Sequence, residues 1–328
     1  MSSNEYAELL QAAARFIREN DDFLVVSHVQ PDGDAAGSTF AVAWMLRELG
    51  KTFTLINEGP IPAKFMYMAE DIPVVNYESN PPGRQFRRII AVDCADPERI
   101  GRVRECFAPD AELLNIDHHA TNDGFGHWNL VKADAAATVE VLYDLGEAMG
   151  IPFSQQLNVC IYSGLLTDTG GFRYSSTSPK VMRIAADLLS RGVQGHELAE
   201  RLLETMTRQQ VSLLKHCLSS LSFAADGRIA WLSVTLDDLK AASAGNEDME
   251  GLVNYARNVE GVEVGLLFKE KGPELVKVSL RSSGAVNVAE VAASFGGGGH
   301  VRAAGCTIAA SLSDAVDQVV KKVEAAMA

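Results

Sequence analysis

Eight aspartates and histidines fall into four short motifs whose residue types suit metal chemistry. The first is His28-Val-Gln-Pro-Asp32-Gly-Asp34, with donors at i, i+4 and i+6, and with Pro31 and Gly33 permitting a tight backbone path. The second is Asp93 in IIAVDCAD, the third is Asp117-His118-His119 after ELLNI, and the fourth is Asp168 in GLLTDTGGF. Each alone reads as a turn or a cap, and Asp34 reads as the cap of the helix that follows it. Their coincidence argues otherwise. Besides His119, seven carboxylate or imidazole groups come from four segments, three of them ending a predicted strand. Carboxylates gathered on one sheet edge raise one another's pKa and destabilise the fold unless cations neutralise them. Mixed carboxylate and imidazole donors suit Mn²⁺, Zn²⁺ or Fe²⁺. Two such ions ~3.5–4 Å apart clamp a phosphoryl group for in-line displacement.

The elements that must position these residues follow from the hydrophobic pattern. Residues 22–27, 52–56, 88–93 and 112–116 read as short strands, and 35–49, 135–149, 154–166 and 178–191 read as helices. Alternation of this kind makes βαβ units and a mainly parallel sheet, with ligands expected at the carboxyl ends of its strands. Residues 195–221 read as a helical connector. Three strand candidates follow, at 228–235, 262–269 and 275–281, together with a glycine run and two helical stretches. The expected fold class is therefore α/β, with a parallel-sheet domain over 1–192, a helical connector over 193–222 and a smaller α+β domain over 223–328.

Composition narrows the function classes. The chain has 328 residues, 47% hydrophobic and 22% charged, as in an ordinary globular protein. Its 29 basic residues against 43 acidic ones give a net charge of −14. Long nucleic acid is gripped by neutralising many phosphates, so that partner is disfavoured and a small phosphorylated substrate is left. No apolar run reaches the ~20 residues needed to cross a bilayer. The N-terminus reads as an amphipathic helix, without the pattern of a signal peptide. Five scattered cysteines with no CxxC pair fit a reducing, cytoplasmic setting. The glycines Gly296–Gly299 let a backbone approach a ligand and aim N–H groups at a phosphate.

The four motifs, in this order, resemble the DHH phosphoesterase superfamily, whose name is the triplet Asp117-His118-His119. The C-terminal VKVSLRS at 276–282, Phe295-Gly-Gly-Gly-Gly-His300 and Ala303-Ala304-Gly305 are similar to the DHH-associated domain. The layout is nearest the bacterial nanoRNase and 3′-phosphoadenosine-5′-phosphate phosphatase subgroup. The resemblance implies a bilobal enzyme with a central cleft, acting on short RNA or small nucleotides by attack of metal-activated hydroxide on phosphorus. It implies two divalent ions, Mn²⁺ first with Mg²⁺ or Co²⁺ as alternatives, and it admits a homodimer. One ion would take His28, Asp32 and Asp93, and the other Asp34, Asp93, His118 and Asp168. Asp117 would orient the ligands and His119 would contact the scissile phosphate. Arg281, Ser282, Gly297, Gly298, Gly299 and His300 would bind substrate. The alternatives are a cyclic- or linear-dinucleotide phosphodiesterase, an inorganic pyrophosphatase, a RecJ-type single-strand exonuclease and a non-catalytic nucleotide-binding regulator.

Overall fold

The structure, a computed structural model, describes residues 3–327; Met1 and Ser2 of the N-terminal stretch and the final Ala328 lie outside the described residues. Two compact units divide the chain, Met1–Thr205 and Met206–Ala328.

The first unit runs α1 (Ser3–Glu19), β1 (Phe23–Val26), α2 (Gly33–Glu48), β2 (Phe53–Asn57), β3 (Val74–Asn76), β4 (Phe86–Val92), β5 (Phe107–Asp117), β6 (Trp128–Val131), α3 (Thr138–Met149), α4 (Gln155–Asp168), α5 (Pro179–Ser190) and α6 (Gly195–Ala199). Its six strands form one sheet in the order β3-β2-β1-β4-β5-β6, and every pairing is parallel. Val25 is level with Ile90, and Ile90 with Leu114, so the three site-bearing strands end together. Both faces of β1 and of the inner part of β4 are covered, which is why FLVV and IIAV are continuous apolar runs without alternation. The chain leaves β1 toward β2 and β3, then returns to the other side of β1 as β4. Strand order therefore reverses between β1 and β4, the crevice where open α/β sheets bind ligands.

Helix α2 is buried from Gly33 to Leu46, all round rather than along one stripe. It is pressed against α4 at Gly164, where an added Cβ would lie 2.9 Å from Asp34 Oδ1. A side chain there would push Asp34 out of place, so glycine is required for the close approach.

The second unit runs α7 (Arg208–Ser219), β7 (Ser222–Ala224), β8 (Ile229–Val234), α8 (Leu236–Ala242), α9 (Val253–Arg257), β9 (Val264–Gly272), β10 (Leu275–Ser282), α10 (Val288–Ala293), β11 (Gly298–His300), β12 (Ala303–Ile308) and α11 (Leu312–Met327). Its sheet is mixed, in the order β11-β12-β10-β9-β8-β7, with only β8 and β9 parallel. Val276, Val278 and Leu280 of β10 join a core with Val319 and Val323 of α11. A separate cluster beneath α7 and α9 holds Leu213, Leu232, Leu267 and Ala256. No helix among the described residues is long and apolar enough to cross a membrane.

Candidate metal centre

The first unit brings the four motifs to one place. His28 follows β1, Asp93 follows β4, Asp117-His118-His119 close β5, and Asp168 closes α4. Ligand atoms of His28, Asp32 and Asp93 lie within 4.8 Å of one another, as do those of Asp34, Asp93 and His118, and those of Asp93, Asp117 and His119. Asp168 joins through His118, whose Nε2 is 3.5 Å from Asp168 Oδ2. Asp93 is common to all three clusters. Its backbone is left-handed, with φ of 57°, a conformation that short polar side chains tolerate and that concentrates at functional sites.

Each donor is held by local structure. Asp32, rather than Asp34, caps α2: its Oδ1 accepts from Asp34 N and Ala35 N, both at 3.1 Å. Asp34 instead reaches the start of α3, where it accepts from Thr138 N at 2.6 Å and Val139 N at 3.1 Å. Thr138 Oγ1 donates to Asp93 Oδ1 at 2.9 Å. Just before α3, Ala135 O accepts from His118 Nδ1 at 3.2 Å. The segment 135–139 thus positions three of the site's side chains. It is itself fixed by Glu140, which accepts from Ala136 N and pairs with Lys180 at 3.1 Å. Asp117 is fully buried and its oxygens are engaged, Oδ1 by His119 Nδ1 and Oδ2 by Asn122 Nδ2, both at 2.7 Å. His119 Nε2 in turn faces Arg99 Nη1 at 3.2 Å.

The donor set fits a divalent cation. His28 Nδ1 donates to Val29 O at 2.8 Å, so its lone pair is on Nε2. That Nε2 is buried, has no hydrogen-bond partner, and lies 3.4 Å from Asp93 Oδ2. His118 repeats the pattern, with Nδ1 on a carbonyl and Nε2 turned to Asp34, Asp93 and Asp168 at 3.9, 3.7 and 3.5 Å. An imidazole lone pair facing carboxylates is repulsive until a cation lies between them, and a backbone carbonyl on the other nitrogen is the usual way a ligating histidine is fixed. The carboxylates show the same frustration. Burial pushes Asp34 well above the usual carboxylate range, and Asp93 and Asp168 push it further. Burial, Asp32 and Asp93 likewise raise Asp168, which also sits at the unfavourable negative end of a helix. Burial works the same way on Asp93, but when the imidazoles take up a proton, His28 by hydrogen bond and charge and then His119 and His118 by charge overcome it and hold that carboxylate below its ordinary value. The clustered acidic and histidine groups of this unit are able to hold metal.

The candidate substrate residues of the second unit lie on β10, β11 and the turn before it. Arg281 is half-buried, with Nη1 donating to Leu280 O at 3.0 Å. Ser282 Oγ is buried without a hydrogen-bond partner. Gly297 has no room for a side chain, since a Cβ would lie 2.2 Å from Gly305 O. Gly298, Gly299 and His300 do not form an open loop; they are an edge strand paired to Gly305, Ala304 and Ala303. An edge strand still presents backbone groups on its outer side.

Three positioning residues escaped the motif reading. Thr138, Asn122 and Arg99 lie in stretches whose composition is that of ordinary turns and helix starts, and their roles depend on contacts across the fold. The only local signal is proximity: Asn122 lies three residues after His119 and Arg99 six after Asp93, whereas Thr138 lies 19 residues beyond His119 and has none.

Comparison with known proteins agrees with this geometry. The N-terminal domain of the DHH family matches residues 22–165, and the DHHA1 domain matches residues 232–328. The chain is 36% identical over 302 residues to the bifunctional oligoribonuclease and PAP phosphatase NrnA of Thermus thermophilus, covering 91% of this chain and 88% of the relative. It is 28% identical to the protein of the same description from Bacillus subtilis, covering 90% of this chain and 91% of that one. Among solved structures, an exopolyphosphatase-related protein from Bacteroides fragilis superimposes with a TM-score of 0.88 at 26% identity, covering 97% and 96% of the two chains. RecJ from Thermus thermophilus in complex with Mn²⁺ shares the fold, with a TM-score of 0.54 at 16% identity over 98% of this chain and 54% of that one. The chain belongs to the DHH family, the phosphoesterase family that its four motifs resemble.

Proposed function

We propose that this protein is a metal-dependent phosphoesterase that hydrolyses short oligoribonucleotides and 3′-phosphoadenosine-5′-phosphate. The observation that carries the reading is Asp93, a buried carboxylate shared by three donor clusters at the switch point of a parallel sheet. The relatives described as oligoribonuclease and PAP phosphatase, which align over nearly the full chain, supply the substrate class.

In this reading His28, Asp32 and Asp93 hold one ion, and Asp34, Asp93, His118 and Asp168 hold a second, with Mn²⁺ the preferred metal. When bound, the ions neutralise phosphoryl charge and activate the attacking water. The protein's part is preorganisation. The amides at the start of α3 fix Asp34, Thr138 fixes Asp93, and Ala135 O sets the tautomer of His118. Asp117 ties down His119, which marks the edge of the cluster where the scissile phosphate docks. In the second unit, Arg281, Ser282, His300 and the Gly297–Gly299 backbone receive the nucleotide. A phosphate or base held there supplies binding energy remote from the reacting bond, which raises kcat/KM only for substrates that reach it.

The test is kcat/KM with Mn²⁺ for a diribonucleotide, a pentaribonucleotide, a long RNA, 3′-phosphoadenosine-5′-phosphate, cyclic di-AMP and pyrophosphate. The short RNAs and 3′-phosphoadenosine-5′-phosphate should lead. Fastest cleavage of long single strands, with steep salt dependence, would instead indicate a processive exonuclease.

A further inference from the structure

Beyond its bond to His119, Arg99 brings to the edge of the metal centre a positive charge that no metal ligand supplies. Arg99 lies in the 3-10 segment Pro97–Cys106 that follows β4, six residues after Asp93. Its backbone is fixed at both ends: Asp96 Oδ1 accepts from its N–H at 3.0 Å, and its carbonyl accepts from Val29 N at 2.8 Å. Gly101, with φ of 70°, turns the chain two residues later, and a Cβ there would collide with Val29 and Glu58. This anchors the Arg99 segment to the loop that carries His28 and Asp32.

The side chain is half-buried, and none of the described carboxylates forms an ion pair with it, although the neighbouring site is rich in them. Its recorded side-chain partner is His119. Because His119 Nδ1 is 2.7 Å from a carboxylate oxygen that can only accept, Nδ1 carries the proton and Nε2 accepts from Arg99 Nη1. Both ring nitrogens are thereby engaged, and His119 serves as a rigid strut between Asp117 and the guanidinium. Arg99's charge is also felt at His28, whose neighbour Val29 donates to the Arg99 carbonyl. A guanidinium has five N–H donors in a fixed fork, and the bond to His119 takes one of them. The group at this edge with donors to offer an anion is therefore the arginine.

We propose that Arg99 is a catalytic residue: it binds a non-bridging oxygen of the scissile phosphate through the N–H groups left over from its bond to His119. This rests on the phosphoesterase reading and adds to it a protein-borne positive charge beside the metal cluster. Its action is electrostatic, with no proton transferred, and it strengthens as charge develops on the equatorial oxygens.

The experiment uses the full chain and its Arg99→Ala and Arg99→Lys variants. Bound metal is measured first, then the affinity of the Mg²⁺-loaded protein for inorganic phosphate by calorimetry, then kcat on a diribonucleotide with and without added guanidinium. For Arg99→Ala the metal content should be unchanged, and phosphate should bind about tenfold or more weakly, as for loss of a charge-assisted hydrogen bond. Its kcat should fall about 10²–10³-fold, as when one preorganised donor to the transition state is lost. Guanidinium should restore part of that loss. Arg99→Lys, which keeps the charge and most of the stem, should fall between and guards against a folding defect in the alanine variant. Unchanged phosphate affinity and unchanged kcat in both variants would overturn the proposal. So would a loss of metal in step with activity, which would make Arg99 a structural support. A wild-type protein inert toward every phosphoester would overturn the functional reading instead, and the phosphate titration, which needs no turnover, still decides Arg99.

Discussion

At the scale of single residues, the site is a set of mostly buried carboxylates and imidazoles, fixed by hydrogen bonds and able to share a cation. Asp93 carries most of this, so Asp93→Ala should cost at least as much kcat as Asp117→Ala, whose carboxylate is spent on His119 and Asn122 and whose loss should cost ~10–100-fold. Steady-state kinetics of the two variants checks the order, and a clearly worse Asp117→Ala would mean the ligand assignment is wrong. Thr138 gives a second test. Thr138→Val keeps the shape and the backbone amide on Asp34 but removes the hydroxyl on Asp93. Metal affinity and kcat should drop together by ~10–100-fold, and Thr138→Ser should retain both. His28, Asp93 and the Asp117-His118-His119 triplet were legible in the sequence because they end apolar strands, and Asp168 because it ends an apolar helix. Thr138 was not, since a threonine at a helix start has a sufficient local reason to be there, and its bond to Asp93 spans 45 residues. Asp34 shows the same limit in reverse. Read locally it caps α2, yet Asp32 does that and Asp34 serves α3 across the fold.

At the scale of elements, the strands that carry the site were the easiest to read. β1, β4 and the inner half of β5 are covered on both faces, so their apolar runs leave no other interpretation. β5 begins at Phe107, five residues before the expected ELLNI, because its outer half, FAPDA, is half-exposed and has no apolar signature. The edge strands β3, β6, β7 and β11 are three or four residues long and mostly unburied, and β11 is Gly-Gly-His. Only backbone pairing defines them. The second unit's sheet also carries a testable charge feature on β9 and β10. Burial, followed by Lys277, Lys271 and Arg281, pushes the Lys269 ammonium from 10.5 down to about 8. Lys269 sits level with Lys277 and donates to Ser279 Oγ at 2.9 Å. Below about pH 8 folded and unfolded chains both hold the proton, and the full penalty of a buried charge opposes folding. Between about 8 and 10.5 the folded chain sheds the proton first, the unfolded state binds more protons, and stability rises with pH. Lys269→Met should therefore melt above wild type at neutral pH, and thermal unfolding should show that advantage shrinking across this window. An advantage that does not change with pH would show that Lys269 is not buried as a cation.

At the scale of the whole molecule, charge and architecture point the same way. A chain of net charge −14 disfavours a grip on a long polyanion through many phosphates, and its donor clusters gather at one switch point of one sheet. Metal ions reverse the sign of the potential at that point alone, which suits a compact phosphorylated substrate. The sequence carried this conclusion because both the charge balance and the four motifs are linear properties of the chain. The positioning of the site by residues 135–139, and the arginine at its edge, belong to the folded molecule. The central claim is that metal held by these side chains is indispensable to phosphoester hydrolysis, and the most direct measurement is diribonucleotide turnover by the protein, stripped exhaustively with chelator and then titrated with Mn²⁺ while bound metal is counted. The account predicts no turnover in the stripped protein and recovery that tracks metal bound per chain, with Ca²⁺ a poor substitute. Undiminished turnover by a chain shown to be free of metal would contradict it.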